Sequence, residues 1–221
     1  MRLRVIFAKT GTLRYTGHLD LQKIWERTVR RARLPLAYSH GFHPQPKIQL
    51  ASALPLGFIG RAEIVDIWLQ DEIEGEPVTA QSNLILQRLQ DASPPGLIIS
   101  SLEQVDEHIP ALQTQVIAAD YEVTLLDQAD EADLAQRLTT LMEAACLPRE
   151  RRGKSYDLRA LIETLALLPA DADKRVRLAL RLAARQGATG RPEEVLAELG
   201  IPFEAARVER IRLIFREELL E

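Results

Sequence analysis

The sequence lacks what a disulfide scaffold, a metal cluster or a membrane segment requires. Among its 221 residues Cys146 is the one cysteine, which excludes an internal disulfide framework and a cysteine-rich zinc or iron–sulfur site. No stretch approaches the roughly 18 consecutive apolar residues of a membrane-spanning helix. The first residues, MRLRVIFAKTGTLRY, lack the apolar centre of a signal peptide. We therefore expect a cytoplasmic protein that has no membrane partner.

Motifs that cradle phosphate or build a hydrolase are also missing. The chain contains no Gly-rich phosphate loop, nucleophile elbow or paired-carboxylate arrangement. We expect no cofactor and no bound metal. Whether the protein is an enzyme stays open, and these absences favour a non-catalytic role.

The formal net charge of −4 conceals an uneven distribution. Residues 1–61 hold eleven Lys and Arg against two Asp and Glu, residues 62–148 hold two against seventeen, and residues 149–221 hold fifteen against thirteen. Such asymmetry is typical of a molecule with one face suited to an anion. In the alternative reading the charges only keep two surfaces soluble.

Apolar periodicity predicts two successive units with the same order of elements. The first unit has strands and helices predicted at 2–8, 18–33, 47–53, 62–69, 79–92 and 97–104. The second has them at 121–126, 131–145, 156–168, 175–183, 190–200 and 206–215. Periodicity alone leaves 156–168 open between strand and helix. We expect an α+β protein of two tandem ferredoxin-like (βαββαβ) domains with antiparallel sheets, spanning 1–110 and 117–221.

Two predicted elements carry a stripe of basic side chains. On the first helix the spacing places four of them away from the apolar face: Lys23, Arg27, Arg30 and Arg31. On the strand 175–183 three alternate with apolar residues and share the other face: Arg175, Arg177 and Arg181. Two such stripes could track a phosphate backbone. Either stripe alone is equally consistent with solvated charge on an amphipathic element.

The segment 38–47, YSHGFHPQPK, concentrates side chains that a plain surface loop does not need. Gly41 permits an unusual turn, and two prolines stiffen the exit. The segment predicts a rigid loop that presents His40, His43 and Lys47, with Tyr38 and Phe42 available to stack on a base. The two histidines alone form only a weak zinc motif. In the alternative the loop is structural and its aromatic rings pack beneath it.

His18 stands at the start of the first helix, directly after Thr16-Gly17 and close to Asp20. Thr16 is predicted to cap the helix, whose N-terminus could hold an anion. With Tyr15 nearby, His18 could also act as an acid or base.

Several of these segments together resemble a known family. LRYTGHLDL (13–21), AYSHGFHPQPKI (37–48) and LPLG (54–57) resemble the radical SAM-linked protein family, a domain of unknown function, and GKSYDLR (153–159) and GRPEEVL (190–196) are similar to its second-half landmarks. Members are encoded beside, or fused to, a radical SAM enzyme with a corrinoid-binding type domain, often near a ribonuclease of the E/G type and ribosomal protein genes. The resemblance implies an accessory role in RNA modification or maturation, with a radical SAM enzyme and a tRNA or rRNA as partners.

Three functions follow from these observations. The leading one is an accessory RNA-binding protein, since the chain has no three-cysteine cluster and cannot itself be the radical enzyme. The second is a metal-independent endoribonuclease similar in fold to the CRISPR repeat-RNA enzymes, with His18 as catalytic residue and Tyr15 and Lys47 as helpers. The Gly-rich loop that those enzymes carry near their C-terminus is absent here. The third is a protein–protein adaptor whose acidic middle segment docks the partner enzyme.

Overall fold

A computed structural model describes residues 1–70, 72–73, 76–77 and 81–216 of the chain. The protein is an α+β structure with mostly antiparallel sheet and few helices. Its backbone contacts divide it into two compact units, Met1–Gln115 and Val116–Glu221. The bounds 1–110 and 117–221 stay a prediction for independently folding domains.

The strands of the first unit are β1 (Arg2–Lys9), β2 (Ile48–Leu50), β3 (Ile59–Trp68), the short pair β4 (Glu72–Ile73) and β5 (Glu76–Pro77), and β6 (Leu97–Val105). Four of them form an antiparallel sheet with the order β2-β3-β1-β6. Its helices are α1 (His18–Arg31), α2 (Ser82–Ala92) and the single turn α3 (Leu112–Gln115), with a 3-10 helix at Gly11–Tyr15. Residues 79 and 80 of the predicted second helix lie outside the described residues.

The core of the first unit lies between α1, α2 and one face of this sheet. Alternation along β1 buries Leu3, Val5 and Phe7, while helical spacing buries Trp25 and its neighbours on α1. The rings of Phe7 and Trp25 meet edge to face, with centroids 5.0 Å apart. This packing fixes the rotation of α1 and turns its basic side outward.

The ends of α1 differ from the prediction. The N-cap is Gly17 and no side chain caps the helix, because the Thr16 hydroxyl donates to the Leu13 carbonyl at 2.7 Å instead. The helix ends at Arg31, before Pro35, since Arg33 adopts a left-handed conformation with φ of 55°. The predicted cap at Thr16 is therefore wrong.

The strands of the second unit are β7 (Val116–Leu125), β8 (Pro148–Arg151), β9 (Lys154–Asp157), β10 (Ile162–Leu168), β11 (Arg177–Arg185), β12 (Ala188–Thr189) and β13 (Ala206–Phe215). The order β10-β11-β7-β13 repeats the strand order of the first unit. Its helices are α4 (Glu131–Glu143) and α5 (Pro192–Glu198), with 3-10 turns at Arg159–Leu161 and Phe203–Ala205. The ambiguous segment 156–168 thus ends one strand, turns, and forms another.

Candidate nucleic-acid interface

The solvent-facing side of α1 carries the four predicted basic residues, all of them exposed: Lys23, Arg27, Arg30 and Arg31. Two of them have an acidic neighbour on the same helix. The Lys23 ammonium lies 3.9 Å from the Asp20 carboxylate, and the Arg30 guanidinium lies 2.8 Å from Glu26. Both contacts follow the i,i+3 or i,i+4 spacing that brings helical side chains together.

Arg27 and Arg31 form no ion pair with any residue in the described part of the chain. They are four positions apart, so their guanidinium groups project from adjacent turns of the helix. Arg33, exposed just beyond the helix end, adds a third cation that sequence reasoning did not select. Arg31 and Arg33 share a surface recess with Asp91 of α2. The end of α1 therefore presents more positive charge than its surroundings neutralise.

The segment 38–47 forms a closed hairpin-like loop between α1 and β2. Residues Tyr38 and Pro46 form an isolated β-bridge. Beyond it, the Ser39 amide donates to the Gln45 carbonyl at 2.8 Å, and the Gln45 amide donates to the Ser39 hydroxyl at 2.9 Å. These contacts pin the two legs together and leave residues 40–44 as the tip.

The tip of this loop points into solvent. The Phe42 side chain is fully exposed, at 103% of its reference area, and His40 and His43 beside it are exposed too. Gly41 has φ of 137°, a conformation that side-chain-bearing residues rarely adopt. An aromatic ring held in water on a closed turn has no packing role.

Tyr38 has the opposite environment and connects the loop to α1. Its ring is half-buried against the core of the first unit. Its hydroxyl accepts hydrogen bonds from Arg30 at 3.1 and 2.7 Å. These hydrogen bonds and the nearby Glu26 raise the pKa of Arg30. The predicted pair of stacking rings is thus split, because Phe42 is free to stack and Tyr38 is largely structural.

The three proposed catalytic residues lie on three separate elements. Tyr15 ends the 3-10 helix, and its hydroxyl accepts a hydrogen bond from Arg14, whose guanidinium also stacks 4.6 Å from the ring centroid. His18 is half-buried at the first position of α1. Lys47 is exposed on the second leg of the loop, where its backbone bonds to Ala37.

A buried lysine near His18 was not selected from the sequence. Lys9 is only 1% exposed, and its ammonium donates to the Thr16 carbonyl at 2.8 Å. Glu63, 4% exposed, folds over Gly60, which is the register partner of Lys9. The parity of β1, which puts Lys9 in line with Phe7, is the signal that could have found it. Lys9 holds the entry to α1, so we assign it a structural role.

Each arginine of the predicted stripe, two of them on β11 and Arg175 just before it, has an acidic neighbour. Arg181 makes a two-pronged contact with Asp120 at 2.7 and 3.0 Å, and Arg212 of β13 reaches the same carboxylate at 2.8 Å. Arg177 pairs with Glu122, and Arg175 lies 3.5 Å from Asp173. The alternation itself is confirmed, since Val176, Leu178, Leu180 and Leu182 on the other face are buried.

The electrostatics of Asp120 follow from these contacts. Burial alone would raise its pKa, but the hydrogen bonds from Arg181 and Arg212 and their positive charges hold the pKa below its ordinary value. Asp120 is therefore ionised at neutral pH and compensates both arginines.

Among the described residues no three His, Cys, Asp or Glu side chains gather as a metal site would require. In the same part of the chain no helix is long and apolar enough to cross a membrane.

The fold and surface define a mostly antiparallel α+β protein with a basic helix face in its first unit. The chain belongs to the family described as "Uncharacterized protein conserved in bacteria (DUF2344)", whose profile matches residues 2–192. The resemblance is therefore confirmed as far as a bacterial domain of unknown function. Its link to a radical SAM enzyme stays a prediction.

Likeness to solved structures is weak, and no curated protein matches this sequence. A chain of the "Crystal Structure of a Cbf5-Nop10-Gar1 Complex" aligns with 9% identity and a TM-score of 0.49, over 96% of this chain and 48% of that one. This chain thus spans about half the length of that match. The "Crystal structure of putative glycine cleavage system transcriptional repressor" aligns with 10% identity and a TM-score of 0.25, over 97% and 98% of the two chains.

Proposed function

We propose that this protein binds RNA through the exposed face of α1 and the tip of the 38–47 loop. The observation that carries the proposal is the pairing of two uncompensated arginines, Arg27 and Arg31, with a fully exposed Phe42 on a closed loop that Tyr38 ties to the same helix.

The arginines supply affinity for a phosphate backbone. A cation that contacts a phosphate releases a condensed counterion, so each contact strengthens binding and makes it sensitive to salt. Arg27 and Arg31 have no carboxylate to give up among the residues described, so no existing ion pair opposes that contact. Arginine also matches phosphate geometry with two parallel donors.

Phe42 and the closed loop favour RNA with unpaired bases. An exposed aromatic ring stacks on a base that is not already stacked in a duplex, and protein recognition of RNA mostly targets such bases in loops, bulges and ends. Because the loop is closed by its own hydrogen bonds and stiffened by Pro44 and Pro46, little conformational entropy is lost on binding.

The proposal includes a radical SAM enzyme as the partner, which the family resemblance implies, and two ferredoxin-like units as the fold. Because the chain has one cysteine, it would present the RNA to that enzyme and would not carry out the radical chemistry itself. The strand order supports the ferredoxin-like interpretation of each unit. In the first unit β1 lies between β3 and β6, and in the second β7 lies between β11 and β13.

A filter-binding titration against total cellular RNA at low and moderate salt tests the proposal, with sequencing of the retained RNA. We expect one class of RNA to be enriched. In the Arg27→Gln/Arg31→Gln variant the salt slope should fall by about 1.4, because each lost phosphate contact on a single strand removes about 0.7. The Phe42→Ala variant should bind roughly 5- to 150-fold more weakly, from a stacking loss of about 1–3 kcal/mol.

The matched control is Lys174→Asn/Arg185→Gln, which removes two exposed cations from the second unit. It should bind like the parent. Binding that is insensitive to salt, or no retention above a neutral control protein, would overturn the proposal. Cleavage of the retained RNA that disappears in His18→Ala would favour the endoribonuclease alternative.

A further inference from the structure

We propose that the β8–β9 hairpin of the second unit is a second RNA-contacting arm that grips the phosphodiester backbone. This inference rests on the proposed RNA-binding function and adds an element that lies outside both basic stripes.

The hairpin is a tight two-stranded ribbon separate from the main sheet. Its register runs from Pro148 opposite Asp157 to Arg151 opposite Lys154. The two residues of the turn, Arg152 and Gly153, both have positive φ, 51° and 73°. Positive φ at both central residues is the type I′ turn that matches the twist of paired strands. The turn therefore holds the tip in one conformation.

The base of the hairpin is fixed to the rest of the unit. The Asp157 carboxylate accepts from the Leu147 and Arg159 amides at 2.7 and 2.9 Å. The Tyr156 hydroxyl donates to Glu194 of α5 at 2.5 Å. Burial and this contact raise the pKa of Tyr156 to about 12. A further ion pair joins Arg149 to Glu198.

The cations of the hairpin are sorted along its length, and its one carboxylate before the tip, the exposed Glu150, lies one residue pair away from Arg151 and Lys154. Cations near the base have acidic neighbours, as Arg149 has in Glu198. At the tip, Arg152 and Lys154 are exposed and make no ion pair with the residues that the structure describes. A rigid ribbon whose cations stand free only at its tip is suited to a polyanion. Since the tip has no aromatic ring, it offers contacts to phosphate and none to stack on a base.

The position of the hairpin in its unit repeats that of the 38–47 loop. In the first unit the loop follows α1 and precedes β2, and in the second the hairpin follows α4 and precedes β10. The strand orders of the two sheets correspond, so both projections leave equivalent points of the fold. The first carries Phe42 at its tip and the second carries only cations, so we assign base contact to the first and backbone contact to the second.

The test uses Arg152→Asn/Lys154→Gln in the full chain with RNA retained by the parent. Asparagine tolerates positive φ, so the turn keeps its geometry while the charge is lost. We expect the salt slope to fall by about 1.4, for two phosphate contacts at about 0.7 each. The sequence preference of the retained RNA should not change. Lys174→Asn is the matched control, because Lys174 is an exposed cation with φ of 59° in another turn.

The outcomes separate the two proposals. If the parent binds and Arg27→Gln/Arg31→Gln weakens it while the hairpin variant matches Lys174→Asn, the hairpin inference is wrong and the proposed function stands. If the parent retains no RNA, both are wrong. A thermal melt shows whether the double variant is folded. If it is unfolded, Lys154→Gln alone tests the hairpin inference, and its salt slope should fall by about 0.7.

Discussion

The basic residues of α1 and those of β11 look alike in the sequence and behave differently in the structure. On β11, Arg177 and Arg181 each contact a carboxylate of β7. On α1, Arg27 and Arg31 contact none among the described residues, although Lys23 and Arg30 do. The predicted arginines of β11 are neutralised by their neighbours, although Arg185 at the end of the strand is exposed, whereas the face of α1 is left positive.

The difference lies in where the neighbours of a side chain come from. On a helix they are three or four positions away, so the partners of Lys23 and Arg30 can be found by counting along the chain. On a strand they belong to the adjacent strand. Asp120 is the register partner of Arg181 and also of Arg212, at separations of 61 and 92 residues. A stripe on a strand cannot be assigned as a binding surface until its partner strand is known.

Among the changes that test this contrast, removal of the Asp120 carboxylate, which contacts both Arg181 and Arg212, should have the largest effect. We expect Asp120→Asn to lower the free energy of unfolding by about 2 kcal/mol, because a half-buried carboxylate loses its two charge-assisted contacts. Chemical denaturation measures the loss. The same change removes a negative charge beside Arg181 and Arg212, so RNA affinity at low salt should rise.

The control for that experiment is Asp173→Asn, which removes an exposed carboxylate 3.5 Å from Arg175. It should change stability by less than about 0.5 kcal/mol, as exposed ion pairs usually do. An Asp120→Asn protein as stable as the parent would show that the β11 stripe is not held by its acids, and the contrast between the two surfaces would fail.

The pairing of Asp120 with Arg181 and Arg212 should also make stability depend on pH, with a smaller effect. A carboxyl group whose pKa is lowered by folding stabilises the protein above its unfolded pKa of about 4, and that contribution is lost as pH falls through the lower folded pKa. The pKa of Asp120 is lowered. The stability gap between the parent and Asp120→Asn should therefore narrow as pH falls from about 6 through the unfolded pKa of about 4 and below it. A gap that is constant with pH would assign the loss to packing.

Much of the architecture could be predicted because it depends on periodicity. Apolar residues at helical spacing placed Trp25 and Val29 inside and the basic side of α1 outside. Strict alternation placed Leu178 and Leu180 inside on β11. These patterns are local, and each is read from fewer than about 18 residues.

The features that could not be predicted lie outside the periodicity of a single element. Tyr38 packs against the core and contacts Arg30 of α1, whereas Phe42 is exposed, and the loop sequence alone does not distinguish the two rings. The sequence did not predict the β8–β9 hairpin, because its turn is Arg-Gly and lacks the common Asn-Gly or Asp-Gly signal. The burial of Lys9 was not predicted, because lysine is rarely buried in proteins.

Removal of the Tyr38 hydroxyl should give the smallest effect, and it distinguishes Arg30 from the other basic residues of α1. Arg30 differs from Arg27 and Arg31 because it contacts both Glu26 and this hydroxyl. Tyr38→Phe keeps the half-buried ring and removes the two exposed hydrogen bonds from Arg30, so unfolding should be easier by about 0.5 kcal/mol. RNA affinity should stay within about twofold of the parent, since the proposed contacts are made by Arg27, Arg31 and Phe42. A fall in affinity as large as that of Phe42→Ala would mean that the hydroxyl itself contacts RNA, and Arg30 would then join the binding surface.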